Sequence, residues 1–271
     1  MRNFAIFVNS SDGFDDCWEP FFKLLRYHAP DLKELPIYLN TETKIFKYKD
    51  LNINSTKVAK DNKERLNWSE CFKAGLSMVE EEYILYLQED YFLKNTLNME
   101  YLKDSLYFIQ SQTNVGVINL NKHGPVFAQL NNDENKFIEI KKPVKYYLST
   151  QAAIWRKDYL LSLIRPWENG WMFEKFGSFR ALNSNFYSYS LNKNIMKNEP
   201  VFDYIYTGVI KGKWHTACPK LFKEHDIQIK FSDRGFYQDL GKLKSKFEVI
   251  KKLFENPINA FKSFLSIFNI L

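Results

Sequence analysis

The chain is poor in cysteine: Cys17, Cys71 and Cys218 lie far apart, and no C-x-x-C pair occurs. That spacing gives neither a disulfide framework nor a zinc signature, and it fits a reducing compartment. No apolar run reaches the roughly 18 residues of a spanning helix, so nothing reads as a transmembrane segment. The opening M-R-N-F-A-I-F-V-N-S-S-D has an apolar stretch too short for a secretory signal and turns polar at once. Gly/Ser-rich linkers and internal repeats are also missing, while 271 residues suffice for one large core. The net charge of +6 is diffuse, and no basic cluster is interleaved with aromatics, so nucleic acid is not an expected partner.

Aromatic residues, by contrast, are abundant at 17%. Tyr and Trp offer flat apolar faces with a polar handle, as sugar- and ring-handling proteins need, but a Phe-built core gives the same statistic. Position is more informative. Phe4 to Val8 reads as a buried strand closed by the turn residues N-S-S-D-G. Trp18, Phe21, Phe22 and Leu25 mark one face of a helix that Pro30 ends. Leu35 to Leu39 reads as a strand, Ile45 to Lys63 as irregular, and Asn67 with Glu70 as a capping box opening the next helix. Tyr83 to Leu87 is a strand, Met99 to Gln110 a helix and Val115 to Leu120 a strand. Strand and helix in alternation predict a parallel α/β sheet flanked by helices.

Further on, Phe137 to Ile140 and Tyr146 to Trp155 read as extended, Arg156 to Ile164 and Trp171 to Leu182 as helical. Val201 to Val209 reads as extended and Ile227 to Phe231 as a short strand. The expected division is one domain over residues 1–240 and a C-terminal helical segment over 241–271.

Within Y-I-L-Y-L-Q-E-D-Y-F-L an apolar strand ends in two adjacent carboxylates, Glu89 and Asp90, and then turns apolar again. Burying two acids side by side is expensive unless a cation or hydrogen-bond donors meet them. In a parallel α/β sheet ligands bind beyond the carboxyl ends of the strands, where both Asp12 and Asp90 fall. Asp12 precedes Gly13 and also suits an ordinary turn. Asp15 and Asp16 suit the start of the helix that Trp18 begins.

The sequence resembles bacterial glycosyltransferases of the GT-A fold, a Rossmann-like α/β architecture, in four stretches. These are F-A-I-F-V-N-S-S-D-G-F-D-D-C-W-E-P-F-F, W-S-E-C-F-K-A-G-L-S-M-V-E-E-E-Y-I-L-Y-L-Q-E-D-Y-F-L, L-S-T-Q-A-A-I-W-R-K-D-Y-L with E-N-G-W-M-F-E-K-F-G-S, and G-V-I-K-G-K-W-H. The resemblance implies a cytoplasmic enzyme of lipopolysaccharide or capsule synthesis that moves a sugar from a nucleotide-sugar to a glycan or lipid-linked glycan. Donor contacts would come from Asn9, Asp12, Glu89, Asp90, Lys211 and Lys213. The family's D-x-D metal signature falls on Gln88-Glu89-Asp90, so Gln88 departs from it while Asp90 keeps the last acid. A divalent cation, Mn²⁺ or Mg²⁺, would then rest on Asp90 with His215, or be replaced by Lys211, Lys213 and Arg234. Glu174 in W-M-F-E would be the general base of an inverting transfer. Trp155, Trp167 and Trp171 read as partly core or as rings that stack on the acceptor or donor sugar, with Trp155 and Trp171 the expected acceptor contacts. The alternatives are a sugar-phosphate nucleotidyltransferase, against which the acidic N-S-S-D-G-F-D-D loop speaks, and a non-catalytic glycan-binding protein.

Residues 242–271 hold six Lys against two Glu. Phe247, Ile250, Leu253 and Phe254 form one apolar stripe, and beyond Pro257 the residues Phe261, Phe264, Leu265 and Phe268 form another. Such a basic amphipathic segment suits peripheral contact with an anionic membrane, on the inner face of the cytoplasmic membrane for an enzyme of this kind, or packing on the domain.

Overall fold

The computed structural model describes residues 1–61, 66–120, 135–141, 147–192, 200–238, 251, 255–268 and 270. Its frame is an eight-stranded mixed sheet. The strands are β1 (Phe4–Asn9), β2 (Ile37–Leu39), β3 (Ile53–Ser55), β4 (Tyr83–Gln88), β5 (Val115–Asn119), β6 (Phe137–Glu139), β7 (Ala153–Arg156) and β8 (Tyr187–Leu191), in the spatial order β3-β2-β1-β4-β7-β5-β8-β6. β1 pairs in parallel with β2 and β4, β2 with β3, and β5 with β8. β7 runs antiparallel between β4 and β5, and β6 antiparallel to β8.

Every residue of β1 is buried, as expected of a central strand covered on both faces. Alternate side chains divide between two cores. Phe4, Ile6 and Val8 join one with Phe22, Leu85 and Leu102, while Ala5 and Phe7 join the other with Phe72, Ile84 and Trp155.

Helices α1 (Trp18–His28), α2 (Trp68–Ser77), α3 (Met99–Ser111), α4 (Lys157–Leu163) and α5 (Gly170–Leu182) cover those faces. Three start on asparagine. Asn67 accepts from Glu70 N at 3.0 Å while Glu70 Oε2 accepts from Asn67 N at 2.8 Å, the reciprocal box read from the sequence. Asn98 and Asn169 cap α3 and α5 by accepting from Tyr101 N and Met172 N.

Beyond the sheet lie a hairpin of β9 (Val209–Ile210) and β10 (Lys213–Trp214), helix α6 (Cys218–Glu224) and helix α7 (Pro257–Leu265). Lys211 and Gly212 take φ of 52° and 76°, the left-handed pair that a tight two-residue hairpin turn demands.

Three sequence expectations need correction, and one strand has no counterpart among them. The stretch Ile45 to Lys63 contains strand β3, which is only three residues long and shows no clear alternation. β8 was not foreseen, although its Y-S-Y-S-L buries Ser188 and Ser190 in the alternating manner of a strand. Val201 to Val209 is extended only locally, through a bridge from Tyr204 to Leu93 and the start of β9. Ile227 to Phe231 is not a strand: a 3₁₀ turn begins at Phe231, and Ile227 N closes back onto Phe222 O at the end of α6. The apolar stripe of Phe247, Ile250, Leu253 and Phe254 lies outside the described residues.

Candidate active site

The acids that end β4 are buried. Glu89 and Asp90 retain 8% and 5% of their surface. Asp90 is held by the β9–β10 hairpin: its Oδ2 accepts from Val209 N at 3.1 Å and its carbonyl from Gly208 N at 3.0 Å. A Cβ on Gly208 would lie 2.2 Å from the Phe92 ring and 2.8 Å from Asp90 O, so glycine alone permits this approach. Asp90 Oδ1 is buried and has no hydrogen-bond partner. Burial pushes its carboxyl up to about 6 against the bonds from Val209 and Gly208. Burial, and then the neighbouring Asp90 charge, push Glu89 well above the usual carboxylate range.

Charge of the opposite sign stands next to these acids. Arg234 Nε and Nη2 reach both Asp16 oxygens at 2.6 and 2.5 Å, and Nη2 also reaches Gly13 O at 2.7 Å. The guanidinium lowers the Glu89 carboxyl, which burial, Asp90 and Asp16 raise. Asp16 therefore serves as a counter-ion rather than a helix cap, and Arg234 is already committed to it. Asp15 pairs with Lys44.

Glu174 lies on α5. Its Oε1 accepts from both Thr150 N and Thr150 Oγ1 at 2.8 Å. Burial raises its carboxyl, an effect these two bonds partly offset. Tyr91, the residue after Asp90, donates its hydroxyl to Thr150 O at 2.8 Å and stacks on Tyr204 at 4.7 Å. Tyr204 in turn donates to Gln151 Oε1 at 2.7 Å. The strand-end acid and Glu174 thus share a short bonded path, Asp90–Tyr91–Thr150–Glu174, and the Glu174 charge acts on both Tyr86 and Tyr91. Trp171 sits three residues before Glu174, one turn along the same helix face, and is 45% exposed.

Other expected residues fall differently. Asp12 is occupied. Its Oδ1 accepts from Glu42 N at 3.0 Å, and its Oδ2 from Thr43 N, Thr43 Oγ1 and Lys44 N at 2.9, 2.6 and 3.1 Å. The bonds from Thr43, Glu42 and Lys44 outweigh desolvation and lower its carboxyl. Its side chain therefore stitches the loop after β1 to the loop after β2, a turn role rather than an open donor contact.

Asn9 is buried, donating to Tyr86 OH at 3.3 Å and accepting from Asn40 at 3.1 Å, beside a cavity of about 140 Å³ that Ser10, Trp68 and Cys71 also line. Trp155 is overturned as an acceptor contact: it is 2% exposed, packed on Tyr159 in the core, because its strand is sandwiched between β4 and β5. Lys211 and Lys213 are exposed on the β9–β10 turn, within four residues of the Val209 amide that grips Asp90.

Asp90 Oδ1, buried and without a hydrogen-bond partner, suits a divalent cation. His215 donates its backbone N–H to Gly208 O, which places it near Asp90, but its Nδ1 accepts from Ala217 N at 3.0 Å. Among the described residues no three His, Cys, Asp or Glu side chains converge as a metal site. The parts that sequence reasoning missed, Thr150, Tyr91 and the Gly208–Val209 amides, are neutral groups whose role appears only when the chain folds back. Thr150 nevertheless stood inside L-S-T-Q-A-A-I-W.

No family model matches the chain, and no curated protein does. Solved structures do. It is similar to Staphylococcus aureus TarS, solved over residues 1–349 in complex with UDP-GlcNAc, at 16% identity and a TM-score of 0.46, over 69% of this chain and 55% of that one. Against a longer TarS structure the identity is 14% and the TM-score 0.48, over 93% of this chain and 44% of that one. A mycobacterial protein aligns at 8% identity and a TM-score of 0.46, over 84% of this chain and 76% of that one. The chain thus spans about half the length of the TarS structures it matches.

Proposed function

We propose that the chain is a glycosyltransferase that moves a sugar from a nucleotide-sugar donor to a hydroxyl of a cell-surface glycan intermediate, with inversion at the anomeric carbon. One observation carries this reading. A buried carboxylate with an unpartnered oxygen, Asp90, follows the end of the central strand β4 and is tied through Tyr91 and Thr150 to a second, partly buried carboxylate, Glu174. A buried unpaired oxygen is costly to keep unless a ligand meets it, and strand ends are where α/β sheets meet theirs.

Asp90 Oδ1 would hold a divalent cation, Mn²⁺ or Mg²⁺, since one carboxylate can suffice for such a cation when it binds together with a phosphorylated substrate. The cation supplies charge stabilisation for the departing diphosphate. The chain's own side chains would reinforce it: Lys211 and Lys213 sit on the hairpin hung from Asp90, with His215 at its base beside Gly208.

Glu174 takes the proton of the attacking hydroxyl. That oxygen bonds the anomeric carbon as the carbon–diphosphate bond breaks, and the electron pair leaves with the nucleoside diphosphate. A carboxyl raised by burial suits a general base, since basicity near the working pH favours proton transfer. Thr150 fixes the Glu174 rotamer through Oε1, and Trp171 offers its exposed face to the acceptor sugar one turn away.

The test is Glu174→Gln. Transfer falls by about 10²–10⁴-fold, the ordinary worth of a general base. Donor binding persists, read as the rise in melting temperature with UDP-, GDP-, CMP- or dTDP-sugars with and without Mn²⁺. Retained turnover removes Glu174 as base. A melting temperature that no donor raises removes the donor site.

A further inference from the structure

Helix α7 is mounted inside out. A helix that merely completes a domain buries its large apolar side chains and gives its hydroxyls to water. Here Ala260, Ser263 and Ser266 are buried to 5%, 0% and 0% exposure, whereas Phe261, Phe264 and Phe268 keep 62%, 49% and 59%. The small face is bonded in place. Ser263 Oγ accepts from Trp167 Nε1 at 3.1 Å, Ser266 Oγ from Arg180 at 3.0 Å, and Ile267 O from Asn183 at 3.2 Å. Arg180 is itself fixed by a buried two-point pair with Glu168 at 2.6 and 2.8 Å. The outward aim of the phenylalanines is therefore built in.

Five of the fifteen large apolar side chains exposed among the described residues fall between Ile258 and Ile270. With Phe176, Phe179 and Leu182 of α5, Phe261 and Phe264 of α7 and Phe268 just beyond it wall an open apolar groove of about 840 Å³ that no acid lines. Lys175 lines its edge, and Lys262 lies 5.9 Å from the Trp167 ring centre. Residues 242–271 carry six Lys and two Glu, a net +4 of the whole chain's +6.

We propose that this face lies in the headgroup layer of an anionic lipid bilayer, with Phe261, Phe264 and Phe268 at the acyl boundary and Lys175 and Lys262 among the phosphates. Large apolar side chains flanked by lysines are what such a surface accepts. The charge argues against a second copy as the occupant. Lys175 lines the groove and Lys262 stands at Trp167 beside it, with no acid in the lining, so a two-fold contact through this face would set like charges against each other, whereas anionic lipid neutralises them. Among the described residues no helix is long and apolar enough to cross a membrane, so the contact is peripheral.

The contact stands without the transferase reading, but its use rests on that reading. Trp171, Lys175 and Phe179 follow one another at four-residue steps along α5, about 12 Å at 1.5 Å per residue. That stripe runs from beside Glu174 to the groove, so a lipid-linked acceptor would meet the base from the membrane side.

Co-sedimentation of the full chain with vesicles tests it. Binding to an equal mixture of phosphatidylcholine and phosphatidylglycerol exceeds binding to phosphatidylcholine alone by at least about tenfold, and added salt weakens it. The triple variant Phe261→Ser, Phe264→Ser, Phe268→Ser loses about tenfold or more of vesicle binding, while its melting temperature and its donor-induced shift hold, since the three side chains face outward. Absence of binding to the anionic vesicles overturns the proposal, as does equal binding by the triple variant. A wild-type dimer that the triple variant dissolves, without vesicle binding, assigns the face to a second copy. Vesicle binding with no donor-induced shift sinks the transferase reading alone.

Discussion

Asp12 and Asp90 stand just past the carboxyl ends of neighbouring parallel strands, β1 and β4, yet their surroundings differ in sign. Asp12 has two oxygens filled by four donors from Glu42, Thr43 and Lys44, and its carboxyl is lowered. Asp90 has one oxygen filled by Val209, one buried and empty of partners, and its carboxyl is raised to about 6. The first arrangement stabilises the fold with the acid ionised. The second burdens the fold in the same state. A sequence places both acids at the rim of the cleft, but only the count of donors around each separates a fastening from a site.

The widest separation between the two is expected on activity. Asp90→Asn should cut transfer by about 10³-fold, the several kcal/mol that a metal or charge clamp on a leaving group is worth. It should also make the unliganded protein more stable. The folded value of about 6 exceeds the unfolded 3.8, so between them the fold binds the proton more tightly than the unfolded chain does. This carboxyl's stability contribution therefore declines as pH rises from about 4 to 6, and the full penalty, up to about 3 kcal/mol, is present above that window. Asp90→Asn removes the penalty, so its melting temperature exceeds the wild type's at pH 8 and the two converge near pH 4. Wild-type transfer should show an acidic limb near pH 6. A variant that is active, or that is less stable at pH 8, would erase the contrast.

Asp12→Ala should behave in the opposite way. Losing charge-assisted bonds to three residues costs on the order of 2 kcal/mol in unfolding free energy, moderated because the side chain is only partly buried. Transfer, measured well below the lowered melting temperature, should stay within about tenfold of wild type, since both Asp12 oxygens are already taken by the backbone and side-chain donors of Glu42, Thr43 and Lys44. Denaturant unfolding and initial rates on one preparation decide it. A loss of activity as deep as that of Asp90→Asn, with stability intact, would restore Asp12 to the donor site.

The same distinction explains what the sequence disclosed. β1, α1, α2, β4, α3 and β5 were legible because each carries its own signal: a buried apolar run, a helical stripe, or the Asn67–Glu70 box. β3 and β8 were not, since three residues and a Y-S-Y-S-L alternation gain strand character only from their neighbours in the sheet. At the site, the two adjacent acids after an apolar run and the acid of W-M-F-E were visible. Thr150, Gly208 and the Val209 amide were not, because a neutral hydroxyl or a backbone N–H acquires its meaning from a contact made across 24 or 119 residues. Trp155 misled for the same reason in reverse: its apolar ring gives no hint that β4 and β5 will enclose it.

The two tryptophans give the last and smallest contrast. Trp155, 2% exposed between β4 and β5, can influence transfer only by loosening the core, whereas Trp171, 45% exposed and one turn from Glu174, has a face to offer. Trp171→Ala should raise the acceptor KM about fivefold, in keeping with an aromatic contact of about 1 kcal/mol, with kcat and donor affinity little changed. Trp155→Phe should lower the melting temperature through the space it vacates and leave the acceptor KM where it was. The ratio of the two KM values is the informative quantity, since a general weakening of the protein moves both and a sugar platform moves one. An unchanged KM in Trp171→Ala would detach the exposed indole from the acceptor and leave Glu174 as the only part of α5 that faces the reaction.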